Sequence, residues 1–179
     1  SSIVGSGANA CILHYTENNA RLRSGDLVLI DAGCEFQGYA ADITRTFPVN
    51  GQFTAEQRAI YDLVLEAQRA AIAKVKPGNT WNQPHDATVR VITRGLIKLG
   101  LLKGNERDLI KAEAYRDFYM HRAGHWLGLD VHDVGEYRVA GRWRQLESGM
   151  VLTIEPGIYI APGNSRVPKR WRGIGVRIE

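Results

Sequence analysis

Asp26-Leu-Val-Leu-Ile-Asp31, Gly33-Cys-Glu-Phe-Gln-Gly38 and Tyr39-Ala-Ala-Asp42-Ile-Thr-Arg-Thr-Phe-Pro48 follow one another along the chain and decide its fold. The first run is apolar, lies between Ser24-Gly25 and Gly33, and reads as a strand. Tyr39–Val49 alternates and ends around Pro48, so it reads as a second strand. The short connection through Gly33–Gly38 makes the pair an antiparallel hairpin. A turn centred between Phe36 and Gln37 would set Asp31 directly opposite Asp42, with Cβ atoms about 4.5–5.5 Å apart on one face. Two such carboxylates repel, and one pKa rises strongly unless a cation sits between them. A metal ion is the simplest resolution, and oxygen-rich ligation suits Mn²⁺ or Mg²⁺.

Working outward, Thr54-Ala-Glu-Gln57 is a capping-box pattern that opens a helix from about Ala55 to Lys76. Ile60, Leu63, Val64, Ala67, Ala71 and Val75 supply its apolar stripe, and Pro77-Gly78 stops it. A second helix is predicted from about Pro84 to Leu99, with Val89, Ile92 and Leu96 inward and Gly100 as its stop, and a third over Asn105–Ala114. Strand patterning returns over Met150–Ala161 and Ile174–Glu179. Strands, then helices, then strands predict an α+β fold with an antiparallel sheet. At 179 residues the chain suits one domain with a proper core. No run of about 18 apolar residues occurs, so no membrane partner is expected. Cys11 and Cys34 are too few for a disulfide framework and read as reduced core or strand residues. The net charge of +4 could suit a nucleic acid, but the cations are scattered apart from Arg138–Arg144 and Arg166–Arg172. Those stretches read as solvated loops, and no nucleic-acid partner is expected. Ser1 opens a chain whose Gly5–Asn9 segment reads as a loop, and Glu179 falls within a strand pattern, so the expectation is a fragment of a longer protein.

Acidic residues sit where strands disfavour them. Asp31, Asp42, Glu155 (in Val-Leu-Thr-Ile-Glu-Pro-Gly) and Glu179 (in Gly-Val-Arg-Ile-Glu) all lie in apolar strand contexts. A buried carboxylate is costly there unless paired or metal-bound. Any one of them could be a surface strand residue; four together point to a site. His121-Arg-Ala-Gly-His125-Trp-Leu-Gly-Leu-Asp-Val-His132 adds three histidines in a glycine-studded stretch. The cysteine count excludes a four-cysteine zinc site, and His-Glu-x-x-His, Gly-x-Ser-x-Gly and Walker patterns are absent. Gly5-Ser-Gly-Ala-Asn9 resembles part of a dinucleotide loop but follows no complete strand.

Ile30-Asp31-Ala-Gly33, Asp42-Ile-Thr-Arg-Thr46, His125-Trp-Leu-Gly-Leu-Asp-Val-His132-Asp133, Thr153-Ile-Glu155-Pro-Gly157 and Arg177-Ile-Glu179 occur in that order. Together they resemble the pita-bread metallopeptidases, which include methionine aminopeptidase, prolidase and aminopeptidase P. Leu13-His14-Tyr15, Phe118-Tyr-Met-His121 and Gly157-Ile-Tyr-Ile160 look most like the bacterial aminopeptidase P branch. The resemblance implies a curved antiparallel sheet covered by helices, with residues 1–179 as a catalytic-domain fragment incomplete at both ends. Missing would be a separate N-terminal domain and the final strand. It implies two divalent metal ions, Mn²⁺ by expectation, with Co²⁺, Zn²⁺ or Fe²⁺ suiting the same ligands. Asp31, Asp42, His125, Glu155 and Glu179 would be those ligands, with Asp42 and Glu179 bridging. A hydroxide shared by the ions would attack the carbonyl of an N-terminal residue followed by proline. Glu155 would orient that nucleophile or take its proton. His14 and His132 would hydrogen-bond the substrate carbonyl and the tetrahedral centre, and His121 would line the proline pocket. Arg177 would lie beside the ligands, and Tyr159 beside them or in the pocket. Peptides with proline second would be the substrates of a cytoplasmic homo-oligomer. Prolidase, which accepts dipeptides only, is the near rival. A non-catalytic binding relative is the distant one, set against by the filled ligand positions.

Overall fold

The structure, a computed structural model, describes residues 2–179. Strand β1 (Ile3–Ser6) runs antiparallel to β2 (Leu27–Asp31), and β2 runs antiparallel to β5 (Thr44–Pro48). The short strands β3 (Glu35–Phe36) and β4 (Tyr39–Ala40) form the tip of that second hairpin. Gly5–Asn9 is therefore not a loop. Its first two residues complete β1 and the remainder turns into a 3-10 helix at Gly7–Cys11. The cause is the apolar pair Ile3-Val4, which takes the free edge of β2 with Ile3 opposite Asp31.

The hairpin turn also differs from expectation. Gln37 and Gly38 are its two central residues, with φ of 52° and 86°, as the tight primed turns require. The centre therefore lies one residue later than between Phe36 and Gln37, and Asp31 faces Thr44 instead of Asp42. Because side chains alternate with period two, this shift keeps Asp42 on the Asp31 face, as its diagonal neighbour. Tyr39–Val49 is broken at residues 41–43, where single hydrogen bonds from Ala32 N to Ile43 O and from Ala41 N to Cys34 O continue the pairing. Gly33 is pressed so close here that a Cβ would stand 1.6 Å from the Ala41 carbonyl oxygen.

Helix α1 (Ala55–Ile72) begins with the expected reciprocal cap between Thr54 and Gln57, but gives way to turns before Lys76. Helix α2 (Asn82–Lys98) starts two residues ahead of Pro84, which fits the first turn because its missing N–H has no helical partner there. Helix α3 (Glu106–Lys111) is a short core of its predicted span, capped by Asn105. A small hairpin joins β6 (Arg138–Val139) to β7 (Arg142–Trp143). Of Met150–Ala161 only β8 (Gly157–Ile160) is strand, paired with β9 (Ile174–Arg177). Pro156 has no N–H to carry the ladder backward, and the residues before it bond instead to the 123–127 segment.

Leu27, Ile60, Val64, Ile92, Leu96, Ile158, Ile160 and Val176 bury together, packing α1 and α2 over β8 and β9. Each such aliphatic side chain contributes about 1.5–3 kcal/mol. The opposite side of the strands carries the polar residues. Cys11 is half-buried beside the Ile160 carbonyl, whereas Cys34 is exposed and outside any strand, contrary to its reading as a core or strand residue. Arg166 and Arg170 pair with Asp117 and Glu56, so the Arg166–Arg172 stretch is tied to the body of the protein. No helix among the described residues is long and apolar enough to cross a membrane.

Candidate metal centre

Five separate segments deliver the five carboxylate and imidazole groups. Asp31 ends β2, and Asp42 follows the close approach at Gly33. His125 lies in an extended run held to residues 151–155 by Thr153 N to His125 O (2.9 Å) and Glu155 N to Ala123 O (2.8 Å). The same pairing delivers Glu155. Glu179 follows β9 and is held to β5 by its own N–H, which donates to Thr44 O at 3.1 Å. Gly124 permits the contact of the two runs, since a Cβ there would meet the Thr153 carbonyl oxygen at 1.9 Å.

One ligand atom each from Asp42, His125 and Glu179 falls within a sphere of contacts no longer than 4.8 Å. His125 Nε2 is 3.2 Å from Asp42 Oδ2 and 3.4 Å from Glu155 Oε1. Its Nδ1 donates to the Trp126 carbonyl at 2.8 Å, which leaves Nε2 as the ring atom that faces the carboxylates. Asp31 accepts through Oδ2 from Arg177 Nη2 at 2.5 Å. Thr44 Oγ1 donates to Glu179 Oε2 at 2.8 Å, and Thr153 Oγ1 accepts from His125 N at 3.1 Å.

Four carboxylates thus face one guanidinium and one imidazole. Burial, reinforced by the charges of Glu155 and Asp42, pushes Glu179 up to about 8. Burial also raises Glu155, and together with Asp42 it raises Asp31 against the pull of Arg177. Asp42 goes the other way: burial is overcome by His125, which holds it down. Burial alone would depress His125, yet the Asp42 hydrogen bond and the neighbouring carboxylates bring it up to about 9. Glu179 Oε1 is buried without any partner. A carboxyl oxygen orphaned among other carboxylates, on a group that gives up its proton only at raised pH, is the environment that a divalent cation completes. Mixed carboxylate and imidazole donors fit Mn²⁺, Fe²⁺, Co²⁺ or Zn²⁺.

A cleft of about 480 Å³ opens onto the centre, with His14, Asp31, Asp42, Val131 and His132 in its wall. The His132 ring stands edge-on to His125, 4.3 Å between centroids. His121 lies deeper. Its Nδ1 donates to the Arg122 carbonyl (2.8 Å) and its Nε2 accepts from the Tyr159 hydroxyl (2.9 Å). Arg177 donates to the same hydroxyl oxygen at 3.4 Å, so a continuous chain runs from Asp31 through Arg177 and Tyr159 to His121. All of the residues read from the sequence therefore gather in this region. Missed were Thr44 and Thr153, which brace Glu179, His125 and Glu155. Their signal was present in the alternation, two residues after Asp42 and two before Glu155 on the same faces.

Residues 1–179 match the metallopeptidase family M24. The chain is 61% identical over 178 residues to the Xaa-Pro aminopeptidase of Haemophilus influenzae and 59% identical to that of Escherichia coli, covering 99% of this chain in each case. It spans about two fifths of the length of these relatives, 41% and 40%. The structure of Pseudomonas aeruginosa aminopeptidase PepP superposes with a TM-score of 0.98 at 68% identity, over 99% of this chain and 40% of that one. The helix-covered antiparallel strands are the pita-bread fold of these neighbours. By sequence and by fold, the chain belongs to metallopeptidase family M24.

Proposed function

We propose that this chain is the catalytic part of an aminopeptidase that hydrolyses the bond between an N-terminal residue and a following proline. The observation that carries the proposal is the gathering of Asp42, His125 and Glu179 within 4.8 Å, flanked by Glu155 and Asp31, with Asp31 and Asp42 in the wall of an open cleft. The family relatives named Xaa-Pro aminopeptidase support the substrate class. Asp31, Asp42, His125, Glu155 and Glu179 would hold two divalent ions, Mn²⁺ by preference. Such ions polarise a scissile carbonyl and lower the pKa of the attacking water.

The protein's own groups do the rest. Glu155 is half-buried and desolvation raises its pKa, which suits a carboxylate that takes the proton of the attacking water. His14 and His132 flank the cleft and donate to the carbonyl oxygen as charge develops there. His121 stays neutral, since burial depresses it to about 4. With both ring nitrogens engaged it offers a flat, fixed wall to the proline ring. Arg177 neutralises Asp31 and locks Tyr159 behind that wall. The test is release of the first residue from an Xaa-Pro-Xaa tripeptide by the intact protein with Mn²⁺, with and without Asp42→Asn. Abolition by the substitution is expected; unchanged release contradicts the proposal. Turnover of an Xaa-Pro dipeptide with none of the tripeptide would reassign the activity to a prolidase.

A further inference from the structure

The extended run that carries His121 and His125 has two faces. His125 points to Asp42 and His121 to the Tyr159 hydroxyl, while Arg122 and Trp126 make their contacts elsewhere. There Arg122 reaches the Trp143 ring and Asn82, and Trp126 packs against Trp81 at a tilt (4.2 Å between centroids, 48° between planes). Trp81 also meets Tyr137 at 4.7 Å, and the Trp126 and Tyr137 rings lie nearly parallel, 6.0 Å apart and inclined by 3°. Two guanidinium groups address one indole: Arg122 Cζ is 4.8 Å and Arg138 Cζ 4.0 Å from the Trp143 centroid. Neither arginine forms an ion pair among the described residues, although most of the protein's close cation–carboxylate contacts involve arginine.

Between these groups is a hollow of about 410 Å³, lined by Trp81, Arg122, Gly124, Tyr137, Arg138 and Trp143. That volume lies in the range of small-ligand sites. Its chemistry is not that of the metal cleft. It has three aromatic rings for a flat apolar body, two uncompensated guanidiniums for a negative charge, and no carboxylate in the wall. Guanidinium groups bind planar anions bidentately and stack on rings at the same time, which lysine cannot do. We propose that this hollow is a second ligand site, specific for small aromatic anions such as aryl carboxylates. It would lie behind the ribbon that holds His121 and His125 and be separate from the hydrolytic cleft.

The experiment uses the full-length protein and 1-naphthoate as the probe, followed by tryptophan fluorescence and calorimetry, with chelator-stripped and Mn²⁺-loaded samples. One saturable site per chain is expected, of similar affinity with and without Mn²⁺ and not displaced by an Xaa-Pro peptide. Arg138→Gln should weaken it roughly tenfold, as should exchange of naphthoate for neutral 1-naphthamide, because each removes one half of the charge pairing. Arg138 is exposed on the β6–β7 hairpin, so its replacement should leave the thermal midpoint and the peptidase activity unchanged. Trp143→Leu, which removes the ring and keeps both guanidiniums, should also weaken binding. The proposal is overturned if naphthoate does not saturate, or binds equally well to the Arg138→Gln protein. Equal binding of the amide, or competition by the peptide substrate, would overturn it as well.

Discussion

Thr44→Val removes one oxygen from beneath the metal centre and keeps the shape of a fully buried side chain. The hydroxyl has one charged and one protonated partner in the metal-free protein: it accepts from Arg177 Nε at 3.2 Å and donates to Glu179 Oε2 at 2.8 Å. A hydrogen bond to a charged group is worth about 1.5–3 kcal/mol and one between neutral groups about 0.5–1.5 kcal/mol, so the metal-free protein should lose about 2–4 kcal/mol after Arg177 relaxes onto its remaining partners. Losing an outer partner of a ligand typically costs about 10–100-fold in metal affinity, or about 1.4–2.8 kcal/mol. The assay is a calorimetric Mn²⁺ titration of chelator-stripped protein, paired with urea unfolding. Thr44→Ser, which keeps the hydroxyl, should recover most of both losses. Mn²⁺ affinity within twofold of the parent in the Thr44→Val protein would refute the reasoning, because it would mean that Glu179 needs no brace.

Gly33→Ala should cost well above the ~1–3 kcal/mol usual for overpacking, because the new Cβ would stand 1.6 Å from a backbone oxygen and not from a yielding side chain. Loss of Mn²⁺ binding together with a lowered thermal midpoint is expected, since the forced shift moves Asp42. Tyr159→Phe leaves His121 Nε2 and Arg177 Nη1 short of a partner; kcat/KM for an Xaa-Pro tripeptide should fall at least tenfold while the Mn²⁺ stoichiometry stays the same. Metal uptake at pH 7 should release about two protons, one each from His125 (about 9) and Glu179 (about 8), measured by calorimetry in buffers of different ionisation enthalpy. Both pKa values are raised above their unfolded values of 6.5 and 4.5. Their contribution to the metal-free fold is therefore greatest at low pH and fades as pH rises toward 9, so the stripped protein should lose stability across that window. Saturating Mn²⁺ should reverse the trend.

The helices were legible because local chemistry marks them: the Thr54–Gln57 cap and the stripe from Ile60 to Ala71 hold in the structure as read. The anomalous acids were legible for the opposite reason, that nothing in a strand interior explains them. Register was not. Gln37 takes a positive φ without being asparagine or aspartate, so the turn carried no strong sequence signal, and a one-residue displacement moved the partner of Asp31 from Asp42 to Thr44. Parity rescued the chemistry, because a two-residue change of partner preserves the face. β1 escaped notice because Gly5 and Gly7 made the segment look like a loop, while its pairing depends on an edge of β2 that only the folded chain provides. The threonines beneath the site were missed because their role is set by residues more than 130 positions away for Thr44 and 28 for Thr153. The aromatic cluster around Trp143 was invisible for the same reason: Trp81, Trp126 and Tyr137 meet only through tertiary packing.

The central claim is that Asp31, Asp42, His125, Glu155 and Glu179 act as one dinuclear centre. Counting the Mn²⁺ ions retained per chain after the stripped full-length protein is titrated and freed of excess metal tests this most directly. Two ions are predicted, falling to fewer in the Asp42→Asn protein. No retained ion, or a count that Asp42→Asn leaves unchanged, would contradict it.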